Sequence, residues 1–430
     1  MSEQSKPENK GTSILPRYVA LLLIGIVIGS AVGYLVESSA VESERSIVSQ
    51  LQDQVAQLQA VKEYSIGCTF PLTGDLAFIG TQFQSVAEMA VADLNNQTAR
   101  YGLKVRFNLV IYDDKTTPEV ALTNVQTLAQ AGVKVVIGPA GSSQIKAIKS
   151  YADDNKIMII SPSSTVPDLA IPDDYIFRTT GSDVGQSQAL ATLISGQGMK
   201  KVLVFARDDD YGVAFGQFFK KDFEALNGTV VIMNYAVGQT DYSSEVAQLS
   251  TKVKNEGFDS VLMITYDTDG ANILNHAKDD ATLSSIRWFS SEGVQGTPQL
   301  TDPAIAAFIQ KVKLYGTRPV FKENPLLLNF KAEFKAETGL DAGVFTDKVY
   351  DSVFLAGWSI IAGGYDGAAI KEALPKVAQN YYGASGWCIL DGNGDRLIQD
   401  YAVWTVVPKV GGGFEYQDVA SYSSGSLVWG

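Results

Sequence analysis

Two short apolar runs limit the fold of this chain more than any other feature. Val135-Val136-Ile137 and Ile157-Met158-Ile159-Ile160 contain no polar residue to alternate with the apolar ones. Both faces of each run must therefore be covered, as in a strand inside a parallel sheet with helices on either side. Each run stops at a small, hydroxyl-rich turn. After the first, Gly138-Pro139-Ala140-Gly141 turns the chain tightly and Ser142-Ser143 stands at the N-cap of a helix predicted from Gln144 to Asp153. Hydroxyls and free backbone N–H groups then lie together and suit a carboxylate or a phosphate. After the second, Ser161-Pro162-Ser163-Ser164-Thr165 offers carbonyls and hydroxyls at the same carboxyl-end edge, where open α/β sheets place ligands. Ordinary helix capping would use the same residue types, so these turns alone leave a structural role equally open.

The same alternation continues along the chain. Tyr64 to Phe70 reads as a strand, Pro71 to Gly80 as a loop and Thr81 to Asn95 as a helix. Val105 to Tyr112 is a strand ending in Asp113-Asp114, which we read as structural, and Pro118 opens a helix to Ala131. Strands at Lys201–Ala206, Thr229–Tyr235, Ser260–Thr265 and Ile286–Phe289 follow, with helices between. Such alternation implies parallel sheets covered on both faces. At 430 residues, 46% hydrophobic and only 19% charged, the chain can bury enough core for two lobes. A net charge of −13 gives no footprint for a phosphate backbone, so a nucleic acid partner is excluded. The lone histidine, His276, excludes His-based triads and multi-His metal sites, and no metal or cofactor is expected. Cys68 and Cys388 have no metal-ligand spacing and are read as two buried thiols, the alternative being one bridge between distant segments.

The N-terminus carries a different signal. Residues 17–36 include Tyr18 to Val36, an uncharged run of the roughly 20 residues that cross a bilayer as a helix. Lys6, Lys10 and Arg17 precede it and Glu37, Glu42 and Glu44 follow, which places residues 1–16 in the cytoplasm and the remainder outside. An uncleaved anchor is favoured over a signal peptide cut near Ser38-Ser39-Ala40 because the apolar run is longer than a signal peptide's. Residues 37–62 read as a helical stalk. Val41, Val48, Leu51, Val55 and Leu58 make a short heptad-like seam that would serve either a single helix or self-association.

The body, residues 63–430, resembles the solute-binding proteins of branched-chain (Leu/Ile/Val) amino acid ABC transporters, with the type I periplasmic-binding-protein fold. The blocks that carry the resemblance occur in order: PLTGDLAFIG, YDDKTTPEVA, VVIGPAGSS, IISPSSTVP, FRTTGSD, DDDYG, SSEGV, GASGW and DGNGD. The resemblance implies two doubly wound parallel-sheet lobes joined by three crossovers, near Gly181–Gly185, Leu314–Arg318 and Asp395–Gln399. Lobe 1 would comprise 63–183 and 316–396, and lobe 2 would comprise 184–315 and 397–430. It further implies that Ser142 holds a ligand α-carboxylate, that Thr165 serves both carboxylate and amine, that Ser163 offers its carbonyl to the amine, and that Glu292 pairs with the ammonium. Tyr211 and Tyr266 would close over the ligand from the second lobe, and Phe78 and Ile79 would wall its side chain. The function implied is capture of an amino acid, neutral or branched-chain, for an ABC permease and its ATPase subunits by a single-pass membrane protein with an extracytoplasmic body. A sensing ectodomain of a receptor complex, for amino acids or amides, is the alternative. An enzyme is not expected, since there is no Gly-x-Ser-x-Gly elbow.

Overall fold

The computed structural model describes residues 45–52, 54, 60–397 and 399–430. The cytoplasmic leader and the transmembrane segment expected at 1–16 and 17–36 lie outside the described residues. Of the stalk, residues 45–52 and 54 are helical, with Ile47 and Leu51 exposed. No single helix among the described residues is long and apolar enough to cross a membrane. Lys62–Gly430 forms a compact unit of its own.

Within that unit, the first sheet is built from β1 (Lys62–Phe70), β2 (Val105–Asp113), β3 (Val135–Ile137), β4 (Met158–Ser161) and β5 (Ile176–Arg178). Its order is β2-β1-β3-β4-β5 and every pairing is parallel. The unbroken apolar runs are explained by two cores. Val135, Ile137, Met158 and Ile160 point to one face, and Val136 and Ile159 to the other. Helices α1 (Ala77–Arg100), α2 (Pro118–Gln130) and α3 (Ser142–Asn155) connect these strands. Val125, Leu128, Ile145 and Ile148 of α2 and α3 pack in the core that holds Val136 and Ile159, whereas Phe83, Val86 and Leu94 of α1 pack in the other. Burying each large apolar side chain contributes roughly 1.5–3 kcal/mol.

After β5 the chain leaves this sheet at 179–182 and enters α4 (Asp183–Gly196). The second sheet contains β6 (Lys201–Arg207), β7 (Thr229–Tyr235), β8 (Ser260–Ile264), β9 (Arg287–Ser290) and β10 (Tyr315–Val320), linked by α5 (Asp210–Ala225), α6 (Ser243–Glu256), α7 (Asp267–Ala277) and α8 (Pro303–Val312). Helices α9 (Pro325–Thr338), α10 (Thr346–Gly363) and α11 (Gly367–Gln379) then return to the first lobe. They are followed there by the small ribbon β11 (Tyr382–Gly383) and β12 (Gly386–Trp387). The last segment rejoins the second sheet as β13 (Asp400–Pro408), β14 (Phe414–Ser423) and β15 (Ser426–Trp429).

Two expectations need correction. The second sheet is not wholly parallel: its order is β15-β14-β13-β10-β9-β8-β6-β7, and β13, β14 and β15 are antiparallel to their neighbours. Short connections account for the β13–β14 and β14–β15 pairings. Ser424 and Gly425, both at positive φ, make a two-residue hairpin that only an antiparallel pair accepts. The second crossing also falls later than 314–318, because Gly316 to Val320 pair with β13 inside the second sheet. The chain crosses at 321–324 instead.

Candidate ligand-binding site

The carboxyl ends of β3 and β4 open onto the gap between the lobes. Gly138 lies at φ 87°, and a Cβ there would sit 2.2 Å from the Thr69 carbonyl oxygen, so glycine is required to turn β3 so sharply. Helix α3 begins two residues earlier than expected. Gly141 is the cap in extended conformation and Ser142 is the first helical residue, so Ser142 is not the N-cap. Its Oγ is 3.4 Å from the Val166 N–H and its side chain is buried. Ser163 donates its hydroxyl to the Ala140 carbonyl (2.9 Å), which leaves the Ser163 carbonyl unspent on that contact and ties the two turns together.

On the other lobe, Glu292 follows β9 and is 3% exposed. Its Oε2 accepts from Gln186 Nε2 (2.6 Å), and its Oε1 lies 2.9 Å from the Tyr211 hydroxyl. No lysine or arginine pairs with it among the described residues. Burial pushes its carboxyl above the usual range, against the hydrogen bonds that favour the ionised form. Asp183, the first residue of α4, is completely buried and neither of its carboxylate oxygens has a hydrogen-bond partner. Burial first, and then the nearby Glu292 charge, hold it well above the ordinary range. Gln186, one turn on, also donates to the Thr317 carbonyl (3.1 Å).

A small, partly open cavity of about 20 Å³ lies between these groups, lined by Leu76, Ile79, Ala140, Ser142, Ser163, Tyr211, Tyr266, Glu292, Gly293, Val344 and Phe345. Six of the eight expected site residues therefore share one cavity. Thr165 does not line it. Thr165 is buried beside the cavity, with its carbonyl accepting from the Asp183 N–H (2.9 Å). Phe78 does not line it either. Its N–H donates to Asp267 (2.8 Å), and its ring faces Gly296. Tyr211 and Tyr266 stack with ring centroids 5.2 Å apart.

Sequence reasoning missed Asp183, Gln186, Val344 and Phe345. Asp183 was within reach, because it closes the FRTTGSD block at the first crossing. Phe345, at φ 66°, sits on a loop whose sequence carries no signal for it. Both cysteines are buried and unbridged, and burial raises the Cys388 thiol to about 12. Among the described residues no group of His, Cys, Asp and Glu could hold a metal ion.

A periplasmic binding protein model matches residues 63–412. The chain belongs to that family. It is 27% identical to an uncharacterised protein of Methanocaldococcus jannaschii, over 85% of this chain and 91% of that one. It is also 27% identical to the leucine-, isoleucine-, valine-, threonine- and alanine-binding protein of Pseudomonas aeruginosa, over 80% and 90%. Among solved structures, a leucine-binding protein from Thermotoga maritima superposes with a TM-score of 0.69 at 22% identity, covering 84% of this chain and 99% of that one. A solute-binding protein from R. palustris in complex with 4-hydroxybenzoate superposes with a TM-score of 0.70 at 17% identity, covering 85% and 98%. These likenesses carry the two-lobed fold. Members of this family are substrate-binding proteins of transporters, not enzymes, and this chain is a solute-binding protein of that kind.

Proposed function

We propose that this chain captures an α-amino acid, neutral and apolar, for an ABC importer, and that residues 17–36 and the stalk hold the body outside the membrane. The observation that carries the reading is the polarity of the cavity. One wall has the first turn of α3 and the Ser142 hydroxyl; the other has Glu292 with no cation to pair it. Helix N–H groups and hydroxyls suit a carboxylate, and an unpaired buried acid needs an ammonium. Ser163 completes the grip, while Ile79, with Leu76, Val344 and Phe345, gives the side chain an apolar wall.

The same argument separates amino acids from aromatic acids. A benzoate would bring a second anion beside Glu292 and Asp183, with no counter-charge of its own. Calorimetric titration of the chain with the twenty amino acids and 4-hydroxybenzoate tests this. Leucine, isoleucine or valine should bind and 4-hydroxybenzoate should not. Glu292→Ala should abolish amino acid binding while leaving the folded state intact. Binding that survives Glu292→Ala, or a preference for the benzoate, overturns the proposal.

A further inference from the structure

The loop 74–76, the start of α1 and helix α3 of the first lobe meet β6, α5 and α7 of the second along the lip of the cleft. Thr268 donates its N–H to the Asp75 carbonyl (3.2 Å), Phe78 donates its N–H to Asp267 (2.8 Å), and the Lys146 ammonium is 2.8 Å from Asp210. One lip contact differs from these because it continues inward. Arg207, 2% exposed at the end of β6, reaches Asp75 of the first lobe at 3.2 Å. Its other N–H groups bind Asp209 (2.6 Å) and Asp269 (2.7 Å) of its own lobe. Its guanidinium lies 3.6 Å from the centroid of Tyr266, which stacks on Tyr211, whose hydroxyl meets Glu292.

Three carboxylates surround one guanidinium. Asp209 and Asp269 already neutralise it when the lobes part, so the second lobe does not need Asp75 in order to fold. Bringing Asp75 in gains its attraction to Arg207 and costs its repulsion from the other two acids, which leaves a contact weak enough to open. Its geometric effect is larger than its net energy. Asp75 pulls on the same guanidinium that covers the outer face of the Tyr266–Tyr211 stack.

We propose that Asp75 is a positioning residue for ligand capture: through Arg207 it seats the Tyr266–Tyr211 stack against Glu292 only when the lobes shut, so that closure and grip are one event. The inference rests on the capture reading above, and its test is chosen to be independent of which ligand binds. Cys68 and Cys388 are buried, so spin labels can be placed on the full chain at two exposed positions, Glu119→Cys in the first lobe and Ser244→Cys in the second. Without ligand, Asp75→Ala should raise the population of the wide interlobe distance roughly fivefold. Asp75→Asn should fall between it and the parent, and Asp75→Glu should restore the parent distribution. With L-leucine, Asp75→Ala should accelerate release by a similar factor. That effect should not add to the effect of Tyr266→Leu, whereas the effect of Lys146→Gln should. An unchanged distance distribution in Asp75→Ala, or additivity with Tyr266→Leu, overturns the proposal. If the parent fails to bind leucine, the capture reading falls, but the distance measurement still decides the role of Asp75.

Discussion

At the scale of single residues, the site holds acids under conditions that acids resist. Glu292 and Asp183 are buried with no salt-bridged cation among the described residues; hydrogen bonds favour the ionised form of Glu292, and the Arg178 charge only partly offsets the burial of Asp183. A site arranged for a ligand rather than for stability should give up affinity, not folding, when the acid is neutralised. Glu292→Gln should therefore leave the unliganded melting temperature equal or higher and weaken leucine binding by about a hundredfold or more, since a buried ammonium loses its charged partner. Calorimetry and a thermal melt on the same sample check both halves. The pH dependence has a definite sign. The free carboxyl titrates above its ordinary value near 4.3, so protons compete with the ammonium. Affinity should then fall as pH is lowered, starting at a higher pH than an exposed glutamate would allow. Asp267 shows the stability counterpart. Burial raises its carboxyl to about 8. Between the unfolded value near 3.9 and that raised value, the folded state binds the extra proton, so Asp267 costs more stability as pH rises through this window. Asp267→Asn should raise the melting temperature at pH 8.5 by several degrees more than at pH 5. An equal shift at both pH values would mean that Asp267 is not titrating there.

At the scale of elements, the turn between β3 and α3 aims the first helical N–H groups and Ser142 into the cavity. Gly138→Ala must accommodate both a left-handed backbone and a Cβ 2.2 Å from the Thr69 carbonyl oxygen. It should destabilise the fold by about 2–4 kcal/mol and weaken ligand binding together, as denaturant titration and calorimetry would show. This element was readable before any coordinates, because an apolar run with no polar alternation followed by Gly-Pro-Ala-Gly and two serines has few other folds. So were Glu292 and Tyr211, through the order of the blocks that contain them. Asp183 could be reached only through the end of the FRTTGSD block, and Gln186 not at all. They lie on the first turn of a helix that has just crossed between lobes, and nothing local distinguishes their side chains from ordinary N-terminal helix residues. The antiparallel trio β13 to β15 was also illegible as such. Its strands β14 and β15 lack the unbroken apolar runs of the buried parallel ones, and its partner β10 lies some eighty residues upstream, just where the lobe boundary was expected.

At the scale of the whole molecule, opening and closing must pass through three crossings, and two of them are pinned to the first lobe. Arg178 at the end of β5 pairs with Asp395 (2.5 Å) beside the third crossing, with both side chains buried. The second crossing, 321–324, is held differently. The Phe321 ring lies 4.0 Å from the Arg396 guanidinium and 5.0 Å from the Lys348 ammonium, both on the first lobe. Lys348 is buried, and burial lowers its pKa against the pull of Asp347. The two like charges are thus brought near one aromatic ring whose π electrons attract both, an arrangement that loses its rationale when the ring is removed. Phe321→Ala should cost about 2–4 kcal/mol of stability in denaturant titration, the range for truncating a packed aromatic that also screens charge. It should also loosen the crossing without touching the cavity. Equilibrium leucine affinity should then fall while the apolar selectivity among amino acids stays fixed, because in the proposed reading selectivity comes from Ile79, Val344 and Phe345, which line the cavity, and not from the crossing. A Phe321→Ala protein with altered preference between leucine and alanine would place the ring in the ligand wall instead.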